Sequence, residues 1–160
     1  MKRSDFYRIR EGIKNIGHLF SDKDYEFVYR AVCIDEIAEA EIAKYEKTRV
    51  KPSEEYLKYV DEQSKLLSEC ALKKEDGTYV MIGKTDIALS KPQQFNEGME
   101  LLKAKYKAAI DKQKASEDKF EEFLSKDAPG VKFELIPKKY LPKGITIDQM
   151  KGIIMIVEKG

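Results

Sequence analysis

Between Pro92 and Leu124 the apolar and aromatic positions keep a single helical phase. Phe95, Met99, Leu102, Tyr106, Ala109, Gln113, Ser116, Phe120 and Phe123 follow one another at alternating steps of four and three. That spacing is the seam of a helix packed along another helix. At ~1.5 Å per residue such a helix runs on the order of 45–50 Å, too long to be wrapped into a small sphere. The pattern predicts an elongated chain whose seam is covered by a second long helix or by another molecule.

A second run supplies that helix. From Tyr25 the stripe Phe27, Ala31, Ile34, Ala38, Ile42 and Tyr45 faces inward, while Glu36, Glu39, Glu41, Lys44, Glu46 and Lys47 form a solvated face. Lys51-Pro52-Ser53-Glu54-Glu55 interrupts it, because Pro52 suits the first turn of a new helix and pushes Lys51 out of helical geometry. Tyr45, Arg49, Pro52, Tyr56 and Val60 nevertheless stay in phase. Two readings remain open, a kink in one rod or a break between two nearly collinear helices. The continuation to Leu72 carries Tyr56, Val60, Leu67, Cys70 and Ala71 inward.

Shorter elements flank these runs. Phe6, Ile9, Ile13, Ile16 and Phe20 predict an N-terminal helix weakened by Gly12 and Gly17, after which Ser21 or Asp22 caps the next. Asp76-Gly77 turns the chain into the β-prone stretch Thr78 to Ile82, and Thr85 to Leu89 pairs back across Gly83-Lys84. Ser90 and Gln93 have the spacing of a capping box, as do Thr146 and Gln149. Asp127-Ala128-Pro129-Gly130 stops the long helix, and residues 131–136 alternate as a half-buried strand. That strand is expected to join the β-hairpin near 78–89; an antiparallel helical hairpin does not by itself bring it to 78–82, and an intersubunit sheet is the alternative. The predicted class is mainly α with a small β element (α+β), a long antiparallel helical hairpin or coiled coil with a short β-hairpin and a short C-terminal helix. One elongated domain, 1–160, would contain an N-terminal helix (1–20), a kinked long helix (25–72), a β-hairpin (78–89), a long helix (92–125), and a strand plus short helix (131–157).

Composition sharpens this picture. Charged residues make up 37% of the chain and apolar ones 42%, the balance of exposed amphipathic helices rather than of disorder. A net charge of +1 argues against a nucleic-acid coat protein and against an acidic DNA mimic. No apolar run reaches the ~18 residues of a membrane span. The start Met1-Lys2-Arg3-Ser4-Asp5 leads into an amphipathic stretch with no apolar signal core. Cys33 and Cys70 read as reduced, partly buried thiols, so a cytoplasmic location is expected.

The search for chemistry returns little. His18 is the only histidine, and motifs for zinc, phosphate, dinucleotide or nucleophilic catalysis are missing. Carboxylates interleave with lysine, as in Glu117-Asp118-Lys119, the pattern of a solvated helix face. The expectation is a non-enzymatic chain with no cofactor and no metal. Lys2, Arg3, Arg8 and Arg10 interleave with Phe6 and Tyr7, and Lys138, Lys139 and Lys143 flank Tyr140. Such mixtures can hold a phosphate backbone and stack bases, which keeps nucleic acid as a minor alternative partner. Ile153, Ile154, Ile156 and Val157 are apolar on every face, as core or as a contact with a second molecule. With Tyr140, Lys138 and Lys139 they are the candidate partner-binding residues, and a homo-oligomer, most simply a dimer, is expected.

Taken in order, several pieces form a pattern. They are Tyr29-Arg30-Ala31, the helix Glu36 to Tyr45 closing on Glu46-Lys47, Pro52-Ser53-Glu54-Glu55-Tyr56, and Glu69-Cys70-Ala71 leading to Lys74-Glu75-Asp76-Gly77. Phe95-Asn96, Val131 to Leu135, Leu141-Pro142 and Ile145-Thr146 to Met150 complete it. The pattern, over most of the chain, resembles a family of small uncharacterised proteins of tailed phages and prophages. The resemblance implies a viral origin, a place in the infected host cell with virion association as a variant, and a role near virion assembly. It carries over no catalytic residue. The leading expectation is a minor virion component or assembly factor acting through protein contacts. The alternative is an early protein that inhibits a host or defence factor by stoichiometric binding.

Overall fold

The computed structural model describes residues 1–20, 24–128 and 130–159. The cap expected at Ser21 or Asp22, and Pro129 of the expected helix stop, lie outside them. The chain is mainly helical, with a small two-stranded antiparallel sheet. It divides into two compact units, one of residues 1–49 and 119–160, the other of residues 50–118.

The first unit is built around α1 (Ser4–Ile16), which packs on α2 (Tyr25–Glu46) and on α6 (Ile147–Ile153). The helical spacing of Phe6, Ile9 and Ile16 puts all three on one face, and each is fully buried. From α2 come Phe27, Ala31, Ile34, Ala38 and Tyr45, the inward stripe read from the sequence, with Ile42 half-buried. Ile136, Ile153, Ile156 and Val157 close the core from the C-terminal side. Gly12 and Gly152 meet backbone to backbone between α1 and α6: a Cβ built on Gly12 would lie 2.2 Å from the Gly152 carbonyl oxygen. The glycine that weakens α1 by propensity is therefore the residue that lets α6 approach.

Backbone pairing ties the ends of this unit together. The Ala128 amide donates to the Met1 carbonyl (2.9 Å) and the Arg3 amide to the Lys126 carbonyl (3.0 Å). Arg3 also donates to the Phe123 carbonyl (3.0 Å) and stacks over that ring at 4.0 Å. The strand expected over 131–136 reduces to one parallel bridge, Ile136 with Val157. The two-stranded sheet does not include it; its last residue, Ile136, donates to the Ile156 carbonyl at 2.7 Å and accepts from the Glu158 amide at 3.0 Å. Thr146 and Gln149 form the expected capping box of α6, which tightens into a 3₁₀ turn at Ile154–Ile156.

The second unit pairs α3 (Glu54–Cys70) with α4 (Pro92–Lys105), and α5 (Lys107–Ser125) begins in it. The open question at Pro52 resolves as a break. Helical geometry ends at Lys47, and α3 starts afresh with Ser53 Oγ accepting from the Tyr56 amide at 3.2 Å. Glu62 against Lys105 and Tyr106, Leu66 against Gly98, and Cys70 against Ser90 put α3 and α4 antiparallel. Between them lies the sheet, β1 (Met81–Ile82) against β2 (Asp86–Ile87), turned at Gly83 with φ +69°. Leu72 braces it, donating to Ala88 (2.7 Å) and accepting from Val80 (2.9 Å).

The long helix is interrupted at Tyr106, whose φ of −107° and ψ of 17° leave the helical basin. Its amide still donates to Leu102 and its carbonyl accepts from Ile110, each at 3.0 Å, so the register survives. All nine seam positions are buried or half-buried, and Leu101, just off the seam, is 72% exposed. The capping box expected at Ser90 does not form. Ser90 Oγ donates instead to the Cys70 carbonyl at 3.0 Å, pinning the start of α4 to the end of α3.

Candidate interaction surface

The C-terminal apolar run separates on folding. Ile153 and Ile156 are fully buried and Val157 is 3% exposed, all within the first unit's core, whereas Ile154 is 51% exposed. Three of the four aliphatic residues assigned to a partner contact are therefore spent inside the chain. The physical reason is the second layer: α1 covers one side of this segment and Ile136 the other. A short segment apolar all round is what such a position requires.

The other candidate residues remain at the surface. Lys138, Lys139 and Tyr140 form a 3₁₀ turn, with both lysines exposed and Tyr140 half-buried. The Tyr140 ring lies between two cations, Lys139 Nζ at 4.9 Å and the Arg30 guanidinium at 5.6 Å from its centroid. Arg30 projects from α2 and bonds Glu134 at 2.8 Å, with Glu26 at 3.9 Å. The Glu134 bond, more than any other contact, raises the guanidinium pKa above its ordinary value. Its Nε is buried without a hydrogen-bond partner among the described residues.

Beside this cluster α2 presents aromatic residues that the sequence reading did not select. Tyr25 and Tyr29, one turn apart, stack with ring centroids 6.3 Å apart and stay 69% and 59% exposed. Val32, a turn further, is 50% exposed. The steps from 25 to 29 to 32 are those of a helix face, opposite the Phe27–Ala31–Ile34 stripe. That second phase within α2 was the available sign. A recess of about 360 Å³ beside the stack lies between Tyr25, Tyr29, Cys33 and Phe133. Another, about 500 Å³, is lined by Leu19, Phe27 and Leu141 together with Asp24, Glu26, Lys139 and Lys143.

The basic N-terminal helix is differently employed. Arg10 bonds Asp35 at 2.9 Å and Glu39 at 3.2 Å, and Arg3 is committed to Phe123. Of Lys2, Arg3, Arg8 and Arg10, only Lys2 and Arg8 lie exposed, as does Lys14 further along the helix, and Arg8 has Asp5 at 3.9 Å. Phe6 is buried and Tyr7 donates to Glu46 at 2.7 Å. The surroundings that make a phosphate-binding helix are taken up by intrachain pairing. Among the described residues no three histidine, cysteine or acidic side chains are grouped to hold a metal ion, and no helix is long and apolar enough to cross a membrane. No protein-family profile, curated protein or solved structure matches the chain.

Proposed function

We propose that the chain is a non-enzymatic binding protein that acts through protein–protein contacts, with the outer face of α2 as its contact surface. The observation that carries the reading is the exposed Tyr25–Tyr29–Val32 stripe. Exposed tyrosines next to an arginine and an apolar recess have the composition that interface centres favour, since the rings cover area at small entropic cost and the hydroxyls stay hydrated. Tyr140, Lys138 and Lys139 form the polar rim of the same surface. Following the resemblance to phage proteins, the proposed role is a minor virion component or assembly factor in the infected cell. Stoichiometric inhibition of a host factor would use the same surface. A coiled-coil pairing of α3 with α4, through the seam read from the sequence, belongs to this proposal.

The test compares the wild type with the double variant Tyr25→Ser, Tyr29→Ser. Partners recovered after cross-linking in infected cells are quantified, with virion fractions and host enzymes scored separately. The variant should lose the wild-type partner while its thermal unfolding is unchanged, since neither ring contributes to the core. A partner retained at full yield would refute the surface. Salt-steep binding of a single-stranded oligonucleotide, lost in the same variant, would transfer it to nucleic acid.

A further inference from the structure

Residues 131–135 form neither helix nor turn, and their backbone amides and carbonyls make no backbone hydrogen bond among the described residues. Val131 and Phe133 pack on the core while Lys132 and Glu134 are exposed, the alternation of a strand. The segment has defined limits. Gly130, at φ +82°, precedes it, and the Ile136 backbone is already held by Ile156 and Glu158. Backbone groups of successive residues in an extended chain point to opposite edges. Ile136 addresses Val157, so Val131, Phe133 and Leu135 address the other, unpaired edge. Such an edge is a template for another strand.

The sequence of this edge is complementary to itself. We infer that the chain forms a two-fold homodimer in which Val131 to Leu135 of one protomer pairs antiparallel with the same segment of its partner, centred on Phe133. In that register Phe133 meets Phe133, Val131 meets Leu135, and Lys132 meets Glu134 twice. Phe133, Val131 and Leu135 then occupy the hydrogen-bonded positions, matching the edge to which their backbone groups point, for about six new backbone bonds. Lys132 and Glu134 fall at the non-hydrogen-bonded pairs, where side chains are closest and opposite charges count most. A parallel pairing in register would set lysine against lysine and glutamate against glutamate. Charge thus selects both the occupant, a second copy, and its direction. The inference concerns the 131–135 backbone edge and stands apart from the partner reading of α2, which its failure would leave intact.

Sedimentation equilibrium tests it on the intact chain. The wild type should dimerise. Lys132→Glu, at an exposed side chain without an ion pair among the described residues, sets acid against acid at two places and should weaken the dimer about tenfold or more. Glu134→Lys should do the same, and an equimolar mixture of the two variants should form heterodimers, because each supplies the charge the other lacks. Glu134→Lys also removes the Arg30 pair, so circular dichroism checks its fold; should it unfold, the comparison of Lys132→Glu with wild type decides alone. A wild type that stays monomeric at high concentration, or a dimer indifferent to Lys132→Glu, overturns the inference.

Discussion

Gly12→Ala exposes the logic of the α1–α6 contact, because helix propensity and packing push it in opposite directions. By propensity the change gains about 1 kcal/mol in a helix interior. The added Cβ would lie 2.2 Å from the Gly152 carbonyl oxygen and 2.6 Å from its carbon, whereas real Cβ contacts stay above 3.0 Å. Both obstacles are backbone, so no side-chain rotation relieves them, and α6 must retreat by about 1 Å. That retreat loosens Ile153 and Ile156 against Phe6 and Ile9, all fully buried. Overpacking of this kind costs typically ~1–3 kcal/mol and occasionally more. With the propensity gain subtracted, a net loss of up to about 2 kcal/mol is expected. Gly17→Ala is the control, since its nearest neighbour is Phe20 Cε2 at 4.0 Å and its backbone is already helical. It should stabilise by about 0.5–1 kcal/mol through the unfolded chain. Gly152→Ala, whose Cβ would lie 3.2 Å from Gly12 Cα, should fall between them. Urea titration followed by circular dichroism, with hydrogen exchange resolving α1 and α6, measures the order. Gly12→Ala at or above wild-type stability would refute the close approach.

Further outcomes follow from other contacts. Leu102→Ala, at a half-buried seam position, should lose about 1–3 kcal/mol, while Glu100→Ala on the outer face should stay within about half a kcal/mol in the same denaturant titration; equal effects would mean the register is misassigned. Thr146→Ala removes one arm of the α6 capping box and should cost ~1 kcal/mol, with Thr146→Ser restoring most of it in thermal melts. Burial first, and then the bond to Glu41, push the Tyr45 phenol from 10.0 up to about 12, so the folded state holds this proton more tightly than the unfolded chain. Its contribution to stability is complete below pH 10 and is lost as pH rises toward about 12. Tyr45→Phe should therefore flatten the alkaline fall in stability across that window, and an unchanged slope would assign the fall to other groups.

What was legible in the sequence is what periodicity alone determines. The inward stripe of α2 and the nine seam positions of the long helix rest on spacing, and spacing survives local irregularity. Tyr106 shows why: its backbone leaves the helical basin while its bonds to Leu102 and Ile110 preserve the phase. At the same place Glu62 accepts from the Tyr106 hydroxyl at 2.8 Å and from Lys105 at 2.9 Å, and no local pattern announces a partner forty residues away. Ser90 failed as a cap for a similar reason. Its hydroxyl found the Cys70 carbonyl, a tertiary acceptor brought close by the turn of the chain, and a capping box competes with any such acceptor.

The candidate surface was legible only in part, because residues apolar on all sides and residues apolar on two opposite sides look alike until the layers are known. Ile153, Ile156 and Val157 read as surplus when the fold is taken as a slender hairpin with little core to fill. Once α1 lies across α6, they become its filling, and the proposed partner contact rests on α2 instead. That helix carries two apolar phases. The Phe27–Ala31–Ile34 phase is satisfied by α1 and the C-terminal segment, and the Tyr25–Tyr29–Val32 phase stays exposed. The lysines at 138 and 139 kept their place because charge has no comparable use inside a core whose buried residues are all apolar. Position in the fold, not hydrophobicity, thus separates the residues that hold this unit together from those free to meet another molecule.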